Sequence, residues 1–294
     1  MNLIKYRKIW YSISLILIIP GALSLIFWGL KPSIDFTGGT EVEFAGTTDR
    51  EKVEMFAKDA GFDNFTTTVH GDNVIFSTKN VDAEKEKQLT SDIESNIDGA
   101  KQVRLDTVGP SISREITRNA FLMTVAASLV IVIYVAIMFR KVPKPANSWE
   151  FGLLAVVALL HDALIVLGIF SLLGHFFGIE INPLFITAIL TIIGFSVHDT
   201  IVIFDRIREN LVHGSYPDFQ TTVSVSIFEM LPRTLNTSFL VWGILLILYL
   251  FGGESVRYFV LALVIGIFAG TYSSILVASP LLVTWDELKR KRKR

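Results

Sequence analysis

Six long apolar segments constrain the fold of this chain more than any other feature. They lie near residues 9–30, 119–139, 151–173, 183–204, 231–251 and 257–284. An α-helix needs about 20 apolar residues to cross roughly 30 Å of hydrocarbon, so each segment is long enough to span a membrane. Because 51% of its residues are hydrophobic, the chain is predicted to be a polytopic α-helical membrane protein with six transmembrane helices.

Basic residues indicate how the six spans are oriented, because short cytoplasmic connections are enriched in Lys and Arg. All the dense clusters lie on one side of a six-span chain, so both termini are predicted to be cytoplasmic. The first span exceeds the roughly 7–15 apolar residues of a signal peptide and should stay in the membrane. The clusters are Lys5, Arg7 and Lys8; Arg140, Lys141 and Lys144; Arg206, Arg208 and Arg233; and the tail from Lys289 to Arg294.

The predicted topology divides the chain into four parts. These are the N-terminus with the first span (1–30), an extracytoplasmic domain (31–118), a bundle of the other five spans (119–284) and a basic cytoplasmic tail (285–294). The domain carries 17 Asp and Glu against 11 Lys and Arg, a balance that argues against a nucleic-acid partner. The chain has no cysteine, so disulfides, a catalytic thiol and Cys-based metal sites are excluded.

Residues 31–118 alternate between strand and helix patterns. The stretches TEVEFAG, FTTTVHG, NVIFSTK and KQVRLDTVGP are typical of strands. Two stretches between them, TTDREKVEMFAKDAG and DAEKEKQLTSDIESNIDG, have apolar residues at helical spacing. The order β-α-β-β-α-β is that of a ferredoxin-like α+β domain.

Charged residues inside the fourth and fifth spans are the strongest functional signal. The motif GFSVHDTIVIFDRIREN places Asp199 about 9 Å inside Asp205, which we take as the membrane boundary. The fifth span must start near Leu231 to be long enough, and this draws Arg233 to a similar depth. An intramembrane aspartate costs at least about 2.5–3.5 kcal/mol, so it usually faces a protein interior and has a function. We predict that Asp199 pairs with Arg233, beside His198, and that this group responds to ion binding.

A helical wheel predicts which face of the fourth span points inward. Thr187, Thr191, Gly194 and His198 share one stripe, with Asp199 one step round. We expect this narrow polar face to point into the protein. The alternative interpretation is that Asp199 and Arg233 form only a static contact between two helices.

A second polar pair, His161 and Asp162, lies near the middle of the third span. It is open to two interpretations, a functional site and a static contact between helices. Adjacent His-Asp pairs lack the spacing of metal ligands, and no nucleophile motif occurs, so we expect no metal, no cofactor and no enzymatic activity.

Four further charges end the fourth span, and we interpret them as a boundary cluster anchored in the headgroups of the lipid bilayer. They are Asp205, Arg206, Arg208 and Glu209. In the last span, small residues recur every four positions and predict a tight packing seam or a sliding surface. They are Ala262, Gly266, Gly270, Ser274 and Ala278.

Five motifs together resemble the SecF family of the SecDF protein-export complex, within the RND superfamily. They are DFTGGT after the first span, HD in the third, GFSVHDTIVIFDRIREN in the fourth, LPRTLNTS opening the fifth and SSILVASPLLVTW in the sixth. The resemblance implies a six-helix unit in the bacterial cytoplasmic membrane, with a SecD-like subunit and the SecYEG channel as partners. It also implies use of a proton gradient, or in some members a sodium gradient, to draw exported polypeptide outward.

The resemblance also implies roles for individual residues. It makes Asp199 the ion-coupling carboxylate and Arg233 its basic partner. The family has Asn before this aspartate, whereas this chain has His198, which leaves the coupling ion open. The family's loop at the base of the outer domain corresponds to Asp35, Phe36, Thr37, Gly38 and Gly39. The residues alone explain this loop as an exit from the membrane in which two glycines permit a turn.

Two other functions are compatible with a six-span chain. One is an exporter half for small hydrophobic molecules, although such exporters usually carry two six-span halves in one chain. The other is a structural subunit that only stabilises the channel. Export of a secreted precursor with and without an imposed ion gradient distinguishes these alternatives.

Overall fold

A computed structural model describes residues 3–79, 82–140, 142–214 and 216–292. Lys141, Lys293 and Arg294, which belong to the predicted basic clusters, lie outside these ranges. The described chain begins with a 3₁₀ turn (Leu3–Tyr6). Its elements are α1 (Arg7–Phe27), α2 (Ile34–Thr37), β1 (Gly39–Ala45), α3 (Arg50–Asp59), β2 (Phe65–His70), β3 (Asn73–Thr78), α4 (Ala83–Asn96), β4 (Lys101–Val108), α5 (Pro110–Met138), α6 (Ser148–Phe177), α7 (Pro183–His213), α8 (Phe219–Phe251), α9 (Glu254–Ser273), a π-helical segment (Ser274–Ala278) and α10 (Ser279–Arg292).

Six helical stretches of the described chain are long and apolar enough to cross a membrane, as the sequence predicts. They are α1, α5, α6, α7, α8 and the continuous run from α9 through the π-helical segment to α10. Several extend beyond their apolar windows. For example, α8 begins at Phe219, where the Asp218 side chain accepts a hydrogen bond from the Thr221 backbone N–H at 2.8 Å. Hydropathy detects only the part of a helix that matches hydrocarbon, so capped polar turns escape it.

The chain divides into two compact units. One comprises the described residues of Met1–Leu30, Met123–Ile179 and Leu184–Arg294. The other comprises Lys31–Leu122 and Glu180–Pro183. The short second segment of this unit pairs with its start, since the Ser33 N–H donates to the Ile181 carbonyl at 2.9 Å and the Ile181 N–H donates to the Lys31 carbonyl at 2.8 Å.

Four antiparallel strands form the sheet of the Lys31–Leu122 unit, in the order β2-β3-β1-β4. Helix α3 connects β1 to β2 and α4 connects β3 to β4. This order and connectivity confirm the predicted ferredoxin-like domain between the first two spans. Its core is apolar and fully enclosed, with Val42, Phe44, Val74, Phe76 and Leu89 each 0% exposed.

Small residues allow the membrane helices to approach closely. In α9 and its continuation, the predicted small-residue row is buried along its whole length. A Cβ added at Gly266 would lie 2.3 Å from Ile192 Cδ1 of α7, and one added at Gly21 of α1 would lie 2.9 Å from Gly168 Cα of α6. The row is therefore a packing seam in this structure, because backbones at this distance leave no room for side chains.

The π-helical segment interrupts the last span at Ser274–Ala278. Pro280 follows it and has no backbone N–H, so the usual hydrogen bond to the carbonyl four residues earlier cannot form. Ser279 Oγ instead donates to the Ser274 carbonyl at 2.8 Å. Such interruptions of regular helix occur frequently at functional sites. Here Ser273, directly before the segment, contacts the third span, and Ser274, its first residue, contacts the fourth.

Candidate functional site

Asp199 is buried within the chain's own helix bundle, with 8% of its surface exposed. Its Oδ2 atom lies 3.5 Å from Ser238 Oγ of α8 and 3.5 Å from Thr271 Oγ1 of α9. These two hydroxyls bond to each other at 2.8 Å. Because 3.5 Å is long for an O–H···O hydrogen bond, the hydroxyls hold the carboxylate only weakly. Three helices thus meet at a buried carboxylate whose hydrogen bonds are long.

A cavity of about 80 Å³ lies between α8 and α9. Its wall includes both hydroxyl partners of Asp199, Ser238 and Thr271, together with Trp242 and Ile267. The surface exposed to the cavity is almost entirely apolar, so the cavity offers water no polar site of its own.

Arg233 does not pair with Asp199 in this structure, contrary to the prediction. Its side chain is exposed, and none of the ion pairs between described residues includes it. The residue of α8 at the level of Asp199 is Ser238, which lies five positions after Arg233, or about 7.5 Å along the helix. The depth estimate from the sequence was too coarse to separate these two levels.

The polar stripe of α7 is exposed on the surface of this chain instead of pointing into it. Thr187, Thr191, Gly194 and His198 all lie on the exposed side. The buried face of α7 lies one step round and carries Ser196, Asp199, Thr200, Ile203 and Phe204. The predicted inward direction of the stripe was therefore wrong for the isolated chain, whereas the buried position of Asp199 itself was predicted.

His161 and Asp162 form a second buried polar group, on α6. His161 Nδ1 lies 2.8 Å from Asp162 Oδ1, and the two residues are 7% and 1% exposed. The other carboxylate oxygen, Oδ2, accepts hydrogen bonds from Ser273 Oγ of α9 at 2.9 Å and from Ser196 Oγ of α7. The sequence predicted the pair, but not the two serines that complete it, because single serines are common in membrane helices.

The boundary charges at the end of α7 are joined into ion pairs. Arg208 Nη2 lies 2.7 Å from Asp205 Oδ1, and Arg206 Nη1 lies 2.7 Å from Glu209 Oε2. Arg206 also contacts Glu229 of α8, at 2.6 Å between Nε and Oε2. Glu229 was missed from the sequence, although it is the group that ties this cluster to the neighbouring helix.

The loop before β1 is a tight turn built on two glycines. Asp35 lies in the single turn of α2, and its Oδ2 accepts a hydrogen bond from Ser33 Oγ at 3.1 Å. Gly38 has φ 73° and Gly39 has φ 132°, which L side chains rarely adopt. A Cβ at Gly39 would also lie 2.2 Å from the Thr78 carbonyl oxygen. Glycine is thus required there for structural reasons.

The described residues contain no group of three or more His, Asp or Glu placed to bind a metal ion. The buried polar groups described above are instead the carboxylates Asp162 and Asp199 with their hydroxyl partners, and His161 beside Asp162. Such groups can bind and release a proton or a monovalent cation.

Comparisons with known proteins connect this arrangement to a family. Residues 88–288 match the family described as protein export membrane protein SecD/SecF, C-terminal. A protein translocase subunit SecF from Thermobaculum terrenum is 40% identical, over 97% of this chain and 94% of that protein. Another SecF, from Anaerolinea thermophila, is 38% identical over the same shares of the two chains.

Two solved structures have the same fold. One is the crystal structure of SecDF, a translocon-associated membrane protein, from a Thermus species, with a TM-score of 0.86 at 33% identity. The other is SecDF in a super-membrane-facing form, with a TM-score of 0.70 at 32% identity. The first covers 98% of this chain, but this chain spans only 39% of the SecDF chain.

Proposed function

The chain belongs to the SecD/SecF family of protein-export membrane proteins, and from this we propose that it acts with a SecD-like subunit as one half of an ion-driven export device. It is a multi-pass membrane protein of the bacterial cytoplasmic membrane. The SecDF structure, of which this chain matches 39%, supports a SecD-like partner. The SecYEG channel and the exported polypeptide are the further partners we propose.

Asp199 is the ion-binding group in this proposal. The observation that carries it is the position of this carboxylate, buried where α7, α8 and α9 meet and held only by two hydroxyls at 3.5 Å. Binding of a proton or sodium ion removes the cost of a buried charge. Release restores that cost, so the packing of the three helices follows the occupancy of the site.

Arg233 and His198 have a different place in this proposal from the one that the sequence predicts. Both side chains are exposed on this chain, and His198 belongs to the exposed polar stripe of α7 with Thr191 and Gly194. We place a SecD-like half against this stripe. The exposed polar stripe supports this arrangement, since polar groups on a membrane helix usually face protein and not lipid.

Export of a secreted precursor into membrane vesicles tests the function. Vesicles carry the full complex with wild type or Asp199→Asn, and export is measured with and without an imposed proton or sodium gradient. We expect the gradient to stimulate export only with wild type, and amounts of assembled complex to be equal. Gradient-stimulated export by Asp199→Asn would contradict the assignment. Stimulation by one ion and not the other identifies the coupling ion.

Orientation is tested separately by labelling single cysteines in intact cells, since the natural chain has no cysteine. Ser91→Cys, on α4 of the ferredoxin-like domain, should react with a membrane-impermeant maleimide from outside. Glu209→Cys, at the exposed end of α7, serves as the cytoplasmic control and should react only after the cells are permeabilised. Labelling of Ser91→Cys from the cytoplasmic side alone would overturn the proposed topology.

A further inference from the structure

Asp162 lacks the lysine or arginine partner that two other buried carboxylates of this chain have. Glu150 is 3% exposed and contacts Lys289 at 2.6 Å, and Asp286 contacts Arg290 at 2.9 Å. None of the ion pairs between described residues brings a lysine or arginine to Asp162; its ionisable partner is His161. With a neutral imidazole the group carries one net negative charge in the middle of a membrane bundle. A buried charge of this kind is costly unless it is neutralised.

His161 supplies the second observation. Its Nδ1 faces Asp162, but its Nε2 is buried and has no hydrogen-bond partner among the described residues. A buried polar atom without a partner is rare in native proteins and often marks a functional group. An imidazole beside a carboxylate can take up one proton and thereby form a neutral imidazolium-carboxylate pair.

We propose that His161 and Asp162 form a second proton-binding site, separate from Asp199, whose occupancy controls how α9 packs against α6 and α7. The site binds one proton, which is shared between the imidazole and the carboxylate. In the deprotonated state the charge of Asp162 is balanced by hydrogen bonds from the neutral imidazole and from the hydroxyls of Ser196 and Ser273.

Proton uptake affects the last span through Ser273. This residue ends α9 and directly precedes the π-helical segment. Its neighbour Ser274 bonds to Thr200 of α7 at 2.8 Å between the two hydroxyl oxygens. A protonated pair holds Ser273 less strongly, because the imidazolium partly neutralises the carboxylate charge that strengthens this hydrogen bond. The irregular segment that follows is the place where the helix can change its pairing.

The side chains that face the pair are a tyrosine and a second carboxylate, so the pair is neutralised by a proton and not by a basic side chain. On α9, the Tyr272 ring centroid lies 6.3 Å from that of His161, and its hydroxyl donates to the Trp10 carbonyl of α1 and contacts Ser14 Oγ at 2.9 Å. On α7, Asp199 is close enough to Asp162 to interact electrostatically. Both carboxylates are hydrogen-bonded to α9, Asp162 through Ser273 and Asp199 through Thr271, so a change of charge at one is felt at the other.

The test measures proton binding directly and does not depend on export. Solid-state NMR of ¹⁵N-histidine is recorded on the full chain in lipid bilayers from about pH 5 to about pH 8. The five histidines are assigned by single His→Asn variants. We expect a transition of the His161 ring nitrogens between neutral and protonated forms. In Asp162→Asn, the imidazolium loses the carboxylate that balances its charge, so this transition should be lost from the range.

Two further variants keep the result interpretable. His213→Asn removes an exposed histidine at the end of α7 and should leave the His161 transition unchanged. Ser273→Ala keeps the pair, so the transition should persist. The free energy of opening from amide exchange at residues 273–278, corrected for the intrinsic pH dependence of exchange, should fall in wild type as the pH is lowered through the transition. A His161 ring that keeps one form throughout, a transition indifferent to Asp162→Asn, or an opening free energy that does not change with pH would each overturn the proposal.

Discussion

Ser273 Oγ donates a hydrogen bond of 2.9 Å to Asp162 Oδ2 and thereby joins the last span of this chain to the third. Both residues are fully enclosed, at 0% and 1% exposed. Close to this contact, α9 also approaches α7 closely at Gly270. A Cβ added at Gly270 would lie 3.1 Å from Ser196 Cβ. A serine, a glycine and an aspartate thus fix the packing of three helices at one level.

Replacing Ser273 by alanine should therefore lower the free energy of unfolding by about 1.5–3 kcal/mol, the usual worth of a hydrogen bond to a charged group. The measurement is thermal or denaturant-induced unfolding of the chain in detergent. Ser12→Ala is the matched control, because Ser12 is exposed on α1 and its hydroxyl bonds to the Lys8 carbonyl. The control should change stability by less than about 0.5 kcal/mol. Equal effects of the two substitutions would contradict a special role for Ser273.

Arg233 and Asp199 should be energetically independent in the isolated chain. We expect a double-mutant cycle with Arg233→Ala and Asp199→Asn to give a coupling energy within about 0.5 kcal/mol, because the two residues share no contact. Unfolding of the purified chain provides the four free energies. A coupling well above this range would mean that the two residues pair in solution, as the sequence suggested and this structure does not show.

The sequence was sufficient for the spans and the outer domain because both depend on periodic patterns. An apolar run of about 20 residues has one stable solution in a membrane. Likewise, apolar and polar residues alternate in β1 and β3, and apolar residues recur at helical spacing in α3 and α4. Together these patterns specify the ferredoxin-like order of strands and helices. The buried position of Asp199 followed from the cost of a charge in hydrocarbon.

Contacts between residues of different membrane helices could not be predicted in the same way. Which face of α7 is buried depends on how α8 and α9 lie beside it, and a wheel of α7 alone cannot decide this. A helix advances about 1.5 Å and turns about 100° per residue. A small error in the estimated depth therefore predicted Arg233 as the partner of Asp199, where the structure has Ser238. Thr271 and Ser273 gave no signal for a similar reason, since hydroxyl residues are ordinary members of membrane helices.

Gly266 should be intolerant of even a methyl group. A Cβ there would lie 2.3 Å from Ile192 Cδ1 and 2.7 Å from its Cγ2, so α7 and α9 must separate or Ile192 must leave its rotamer. We expect Gly266→Ala to lower the free energy of unfolding by about 1–3 kcal/mol, as overpacking of a core usually does. Thermal unfolding in detergent measures the change.

Gly243→Ala is the control for this substitution, because it lies within α8 and a Cβ there meets nothing within 4 Å. Alanine should be neutral or stabilising by up to about 1 kcal/mol at such a position, since glycine is a poor helix former. If both variants were equally stable, the close approach of α9 to α7 would not be a feature of the folded chain.

Glu41 should make the stability of the ferredoxin-like domain depend on pH. Burial raises the pKa of its carboxyl above the ordinary range, and the nearby charge of Glu180 adds to this, while a hydrogen bond from Ser77 opposes it. The folded domain therefore binds this proton more readily than the unfolded chain does. Stability must then rise as the pH falls from neutral through the raised pKa, until the ordinary value of about 4.3 is reached.

Glu41→Gln removes this charge and should stabilise the domain at neutral pH, with an advantage over wild type that shrinks as the pH is lowered into the ordinary carboxyl range. The measurement is the free energy of opening from amide exchange at β1 in the full-length protein, compared between variants at each pH. Glu51→Gln, an exposed position on α3, is the control and should stay within about 0.5 kcal/mol of wild type. An advantage of Glu41→Gln that grew towards acid pH would have the wrong sign, because a buried carboxylate opposes folding only where it is ionised.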